Sequence, residues 1–174
     1  MSRLTPPVSP RDHAQGGARS LVTLVEYGDF ECPHCGAAHP MVKQIQQAMG
    51  AKLRFVYRHF PLTRIHPHAL HAAEMSEAAA QHGKFWPMHD LLFEHQDALD
   101  DESLLVYATS LGIDARWAAA ALADGRFQRR VRDDFASGVR SGVNGTPTFF
   151  INGERFDGSL DTLLESLSEA TMAR

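Results

Sequence analysis

The sequence has few cysteines, little excess of either sign of charge and no long apolar run. Its 174 residues hold two cysteines, and 17 basic against 21 acidic side chains give a formal net charge of −4. That balance argues against nucleic acid or an anionic membrane surface as the main partner. No apolar run approaches the roughly 20 residues of a membrane-spanning helix, so we expect no membrane insertion.

The N-terminal stretch lacks the apolar segment of a secretory signal, which is about 7–15 residues long. It has prolines at positions 6, 7 and 10, and we predict that residues 1–19 form a flexible tail. Residues 20–174 then form one domain, because 44% hydrophobic residues are enough for one core. We expect a cytoplasmic protein, and the alternative is an exported protein in its mature form.

The two cysteines lie three residues apart, in the sequence CPHC at 32–35. A structural disulfide is disfavoured, because it would close a loop of only two intervening residues. Metal is an alternative, since Cys32, Cys35 and His39 are three candidate ligands. A structural zinc site usually has a second ligand pair at similar spacing, and the sequence has none. The spacing favours redox chemistry, and we expect no metal and no other cofactor.

The first half of the chain predicts a βαβ unit. Residues 20–29 are an apolar run with β-branched side chains, which is typical of a buried strand. Residues 36–49 repeat apolar side chains at four-residue spacing, which predicts a helix that ends at Gly50. Residues 52–62 alternate apolar and basic side chains and predict a second strand. The two strands should be parallel, with a right-handed crossover.

The second half predicts a block of helices followed by a hairpin. Residues 66–142 are rich in alanine, leucine and charge, with glycines between the segments. Residues 143–158 return to strand composition, and Asn152-Gly153 is a strong hairpin signal. A last helix should follow Ser159. The predicted helical segments of the block are 67–82, 84–96, 101–111, 114–124 and 126–141.

This order of elements resembles the DsbA-like thiol-disulfide oxidoreductases of the thioredoxin superfamily. The residues that carry the resemblance are CPHC at 32–35, Glu26 six residues before the first cysteine, and GTPTFFING at 145–153. The resemblance covers nearly everything from Leu21 onward. It implies an α/β, thioredoxin-like fold with a central mixed sheet, in which a helical insertion at about 66–142 separates the βαβ and ββα halves.

The resemblance also implies an activity and partners. The protein should exchange disulfides with protein thiols through a redox-active CXXC motif, and a separate redox partner, which the sequence does not identify, should recycle it. We expect a monomer. The threonine before Pro147 departs from DsbA itself, so substrate preference is not carried over.

The residues themselves indicate roles for the motif. Cys32 follows a strand and stands where a helix begins, so its sulfur faces unpaired backbone N–H groups and the positive end of the helix dipole. Pro33 takes the first helical position, where proline is tolerated. A protonated His34 would further favour the thiolate. We predict that Cys32 is the exposed nucleophile with a lowered pKa and that Cys35, one turn later, is the buried resolving thiol.

Two other sites are open to two interpretations each. Glu26 is either a strand-end carboxylate that reaches solvent or a lysine, or a partly buried acid with a raised pKa that relays a proton to or from Cys35. The Thr146-Pro147 bond is either a trans bond that opens an edge strand or, as the resemblance implies, part of a cis-proline loop beside Cys32. In that loop the Thr146 backbone would pair with an extended substrate peptide.

Two other functions compete with thiol-disulfide exchange. A glutathione-linked transferase or isomerase is one, since kappa-class enzymes share a helical insertion in this fold. Those relatives usually lack the second cysteine, so Cys35 argues against this alternative. The other is a metal-binding module that uses Cys32 and Cys35 without turnover.

Overall fold

A computed structural model describes residues 2–173 of the chain. Its five-stranded sheet has the strand order β1-β3-β2-β4-β5. Strands β2 and β3 are parallel, and the other neighbours are antiparallel. The predicted mixed sheet and its parallel βαβ unit are therefore confirmed. The strands are β1 (His13–Gln15), β2 (Val22–Gly28), β3 (Leu53–His59), β4 (Thr148–Ile151) and β5 (Glu154–Phe156).

Seven α-helices surround the sheet, and five of them form the predicted insertion between β3 and β4. Each of the five predicted segments contains one helix, with small shifts at the ends. No helix among residues 2–173 has both the length and the apolar character needed to cross a bilayer. The helices are α1 (Pro33–Met49), α2 (Ala69–Ala80), α3 (Phe85–Glu94), α4 (Asp101–Ser110), α5 (Ala115–Asp124), α6 (Gln128–Arg140) and α7 (Leu163–Met172).

Strand β2 is the centre of the molecule and separates two hydrophobic cores. Leu24 belongs to the larger core, which includes the inner face of α1 and side chains of α3 and α7. Val25 and Tyr27 belong to the smaller core on the opposite face of the sheet. Because side chains alternate along a strand, Glu26 shares the face of Leu24 and points toward α1. This alternation places an acid behind the helix that carries the cysteines.

The N-terminal residues do not form the flexible tail that the sequence predicts. Leu4 is buried in the smaller core, and residues His13–Gln15 form edge strand β1 against β3. Arg58 of β3, itself only 2% exposed, donates to Asp12 at 2.7 Å and to the Pro6 carbonyl at 3.0 Å. Proline-rich segments lack N–H donors but keep their carbonyls, and a buried guanidinium uses these carbonyls to hold the segment.

Candidate active site around Cys32 and Cys35

The two cysteines lie at the start of helix α1. Cys32 is the N-cap residue with extended backbone angles (φ −72°, ψ 122°), and Pro33 follows in the first turn. The helix therefore begins earlier than the predicted residue 36. Both thiols are free; Cys32 is 4% exposed and Cys35 is fully buried. The structure thus corrects the expectation of an exposed Cys32. Its sulfur lies 3.5 Å from the Thr146 carbonyl oxygen, which contributes to its burial.

Several donors stabilise the Cys32 thiolate. The pKa of Cys32 is lowered to about 5, chiefly by the Cys35 thiol and further by the backbone N–H groups of Cys35 and His34, although burial opposes the shift. No side-chain oxygen caps α1, so the sulfur of the N-cap residue stands where a capping group normally sits. At neutral pH the Cys32 sulfur is therefore a thiolate.

Cys35 has the opposite character. Burial raises its pKa far above that of an ordinary thiol, and the hydrogen bond to Cys32 and the charge of Glu26 raise it further. A proton on Cys35 stabilises the charge on Cys32, so one proton is shared unequally by the pair. The site therefore holds one thiolate and one thiol, one helical turn apart.

Glu26 lies deeper in the molecule than the predicted partly buried acid. It is 2% exposed, and its Oε1 atom has no hydrogen-bond partner among the described residues. Burial raises its pKa to about 8, and the nearby Cys32 charge adds to the shift. The interpretation in which this carboxylate reaches solvent is wrong, because the side chain is buried within the larger core's side of the sheet. Near neutral pH the carboxyl group is mostly protonated.

The loop before β4 forms the other side of the site. The Thr146–Pro147 peptide bond is cis. The hydroxyl of Thr148 donates to the Gly145 carbonyl at 2.8 Å, which closes a short turn around this bond. The Thr146 carbonyl is the atom that contacts the Cys32 sulfur. His34, in contrast, has an exposed side chain, and it is its backbone N–H that acts on Cys32.

Asp29 organises the turn before Cys32, and the sequence reasoning missed it. Its backbone carbonyl accepts from the Cys32 N–H at 3.1 Å. Its carboxylate accepts from the Glu31 N–H at 2.8 Å, from the Leu62 N–H at 2.8 Å, and contacts His66 Nδ1 at 2.7 Å. An aspartate two residues before a turn N–H is the Asx-turn pattern, which was visible in the sequence as Asp-Phe-Glu.

His39, the histidine considered as a third metal ligand, does not group with the two cysteines. His39 packs against His89 and lies 3.9 Å from Asp90, which also binds Lys43. Across residues 2–173, two groups of three ligand-type residues occur, and neither includes a cysteine. The geometry thus does not support a metal site on the two cysteines. The two groups are His39, His89 and Asp90, and His13, His59 and Glu77.

The comparisons with known proteins agree with this geometry. A family model described as Thioredoxin matches residues 8–169. The chain therefore belongs to the thioredoxin family, and its fold is of the DsbA-like type, as the sequence motifs predicted.

Solved structures share the fold over nearly the whole chain. Oxidised BdbD from Bacillus subtilis is 21% identical, with a TM-score of 0.88 and 98% coverage of both chains. A thioredoxin-like oxidoreductase from Silicibacter pomeroyi is 25% identical, with a TM-score of 0.80 and 95% coverage of both. A periplasmic thioredoxin-like protein from Salmonella enterica is 20% identical, with a TM-score of 0.74, and covers 97% of this chain and 94% of its own.

Curated relatives are more similar in sequence but much longer. A protein from Salinispora tropica named Na(+)/H(+) antiporter NhaA 3 is 48% identical over 96% of this chain and 25% of its own length. A protein from Herminiimonas arsenicoxydans named Na(+)/H(+) antiporter NhaA is 45% identical over 91% of this chain and 25% of its own length. The chain thus spans about a quarter of these relatives, and the transport in their names belongs to those longer proteins.

The expectation of a cytoplasmic protein is contradicted by the neighbours among the solved structures. They include the periplasmic protein from Salmonella enterica and thiol-disulfide exchange proteins of the DsbA type. The expectation depended on residues 1–19, which we interpreted as a tail without an export signal. From residue 2 onward these residues belong to the folded domain, so their composition reflects packing and carries no information about cell compartment.

Proposed function

We propose that the protein is a thiol-disulfide oxidoreductase that exchanges disulfides with protein substrates through Cys32 and Cys35. The observation that carries the proposal is the split between the two sulfurs: a stabilised thiolate at the helix N-terminus and a buried thiol one turn later. Such a pair transfers two electrons without a cofactor. The presence of Cys35 also favours dithiol exchange over glutathione transfer.

In the oxidising direction each step balances. A substrate thiolate attacks the Cys32 sulfur of the Cys32–Cys35 disulfide, and Cys35 leaves and takes up a proton. A second substrate thiolate then attacks the substrate sulfur of the mixed disulfide and releases Cys32 as a thiolate. The substrate loses two electrons, and the protein gains them. A redox partner must reoxidise the pair for the next cycle.

The lowered Cys32 pKa supports the oxidising direction of disulfide exchange. With a pKa of about 5 against about 8.5 for a free thiol, the reduced form gains about 2.7 kcal/mol at pH 7. That gain makes the couple about 60 mV more oxidising. We therefore propose that the protein donates disulfides in an oxidising compartment such as the periplasm, and the DsbA-type neighbours support this.

Glu26 and the Thr146–Pro147 loop have supporting roles in this proposal. Glu26 lies on the strand behind α1, has a pKa of about 8, and can give a proton to Cys35 or take one from it. The Thr146 backbone borders the Cys32 sulfur at 3.5 Å, so a substrate cysteine that reaches this sulfur passes along the loop. There an extended substrate segment can pair with backbone groups as an added strand.

The alkylation rate of Cys32 as a function of pH tests the central claim. We expect a midpoint near pH 5, because the thiolate is the reactive species. Since the Cys35 thiol is the main stabilising group, Cys35→Ala should raise the midpoint, whereas Cys35→Ser keeps a donor and should raise it less. A midpoint near that of free cysteine, about 8.5, or faster labelling of Cys35 in the wild type, contradicts the proposal.

The redox state of the pair in growing cells tests the direction. Acid quenching followed by a mass-tagged alkylating reagent should find Cys32 and Cys35 mainly disulfide-bonded, in the cell fraction that holds periplasmic proteins. A mainly reduced pair would show that the protein meets a reducing pool, and the disulfide-donor role would then be wrong. The variant Cys35→Ser, which cannot form the internal disulfide, is the matched control for the mass shift.

A further inference from the structure

Gln96 reaches the active site from the helical insertion. It lies in the turn after α3, and its Nε2 atom donates to the Phe30 carbonyl at 2.8 Å and to the Cys32 carbonyl at 2.8 Å. A side-chain amide has two N–H donors, so both are used on these two carbonyls. One side chain therefore holds the segment that leads into the N-cap of α1.

The absence of a side chain at Gly36 leaves room for Gln96. A Cβ atom at position 36 would lie 1.9 Å from Gln96 Oε1 and 2.6 Å from its Cδ atom. Gly36 lies within α1, where alanine is the better helix former by about 1 kcal/mol. The close approach of Gln96 accounts for a glycine directly after the CPHC sequence.

The Cys32 residue is thus held from two directions. Its carbonyl oxygen accepts both from Gln96 and from the Gly36 N–H at 3.0 Å, which is the first bond of the helix. Its sulfur contacts the Thr146 carbonyl on the opposite side. A shift of the Phe30–Cys32 segment would move the sulfur away from the N–H groups of α1 that stabilise its charge.

We propose that Gln96 is a positioning residue that holds the Cys32 backbone at the N-terminus of α1 from the insertion, and that position 36 is a glycine because a side chain there would displace Gln96. The proposal rests on the role of Cys32 proposed above. Two donors on the Cys32 carbonyl also draw negative charge away from the neighbourhood of the thiolate. The insertion would in this way tune the redox pair as well as cover it.

Gln96→Ala tests the proposal through the titration of Cys32, followed by thiolate absorbance or by alkylation. We expect the pKa to rise by about one unit, which lowers the thiolate fraction at pH 5.5 about threefold and shifts the dithiol–disulfide equilibrium with glutathione at pH 7 about tenfold toward the disulfide. Gln46→Ala is the matched control. Gln46 lies on α1, far from Cys32, and its amide donates to Gln15 at 2.7 Å near the C-terminal end of that helix. Its loss should leave the pKa of Cys32 unchanged.

A double-mutant cycle separates positioning from general loss of stability. In Gly36→Ala the new methyl group displaces Gln96, so this variant should show the pKa shift of Gln96→Ala. The double variant should show no more than either single variant, because both act through one contact. Additive shifts, or an unchanged pKa in Gln96→Ala, would overturn the inference. An ordinary pKa in the wild type would instead count against the proposed role of Cys32 itself.

Discussion

Replacement of Cys32 by serine is expected to abolish disulfide exchange with protein substrates. A hydroxyl group cannot form a disulfide, and its oxygen stays protonated at the position where the thiolate is stabilised. Loss of a covalent nucleophile costs on the order of 10³-fold or more in rate. The oxidation of a reduced two-cysteine peptide, followed by mass spectrometry, measures the loss.

Cys35→Ser is the matched variant for this experiment. It keeps the Cys32 nucleophile and a hydroxyl donor beside it, so Cys32 should still react with small alkylating agents and with substrate disulfides. The mixed disulfide should then accumulate, because no internal thiol is left to resolve it. Substantial turnover by Cys32→Ser, or a mixed disulfide that forms through Cys35, would contradict the assignment of the two roles.

The parts of the site that the sequence could predict are those fixed by local structure. The position of Cys32 at a strand-to-helix junction and of Pro33 in the first helical turn follows from a few adjacent residues. The parallel βαβ unit follows from the patterns of three consecutive segments. The five helices of the insertion are each bounded by glycines or by capping aspartates such as Asp100 and Asp114.

The parts that could not be predicted depend on contacts between distant residues. Gln96 and Cys32 are 64 positions apart, and no local pattern connects them. The packing of the N-terminal segment depends on Arg58, whose buried guanidinium is stabilised by groups more than forty positions away. The composition of a proline-rich segment indicates its local backbone preferences, whereas the ordered conformation of this segment comes from tertiary hydrogen bonds.

The full burial of Glu26 is another feature that the sequence could not predict. The sequence showed an acid within an apolar strand, and the alternation of β2 fixes which face it shares, but its burial under the helices of the larger core is a tertiary property. Burial without a hydrogen-bond partner on Oε1 is costly for a carboxylate, so the protein stores free energy in this side chain. A costly group at this place supports the proton-relay role proposed for it.

Glu26→Gln is therefore expected to make the protein more stable at neutral pH. The folded-state pKa of Glu26 is raised to about 8 from 4.5, so its contribution to stability is fully present below about pH 4.5 and is lost as the pH rises through about 8. At pH 7 the loss is about 3 kcal/mol. Urea unfolding of the reduced proteins at pH 4.5 and pH 7 should show the variant gaining about this amount between the two pH values, relative to the wild type.

The same variant should be impaired in the proton-transfer chemistry of Cys35. Steps in which Cys35 takes up or loses its proton should slow, while alkylation of Cys32 stays nearly unchanged, because Glu26 is not among the groups that stabilise the Cys32 thiolate. In a Cys32→Ser background, the pH-dependent difference in stability between Glu26→Gln and its parent should shrink but persist. Burial is the larger cause of the raised Glu26 pKa, and the Cys32 charge is the smaller one. If the variant and the wild type share one pH–stability profile, Glu26 is not a buried acid with a raised pKa, and its role as the proton relay of Cys35 is wrong as well.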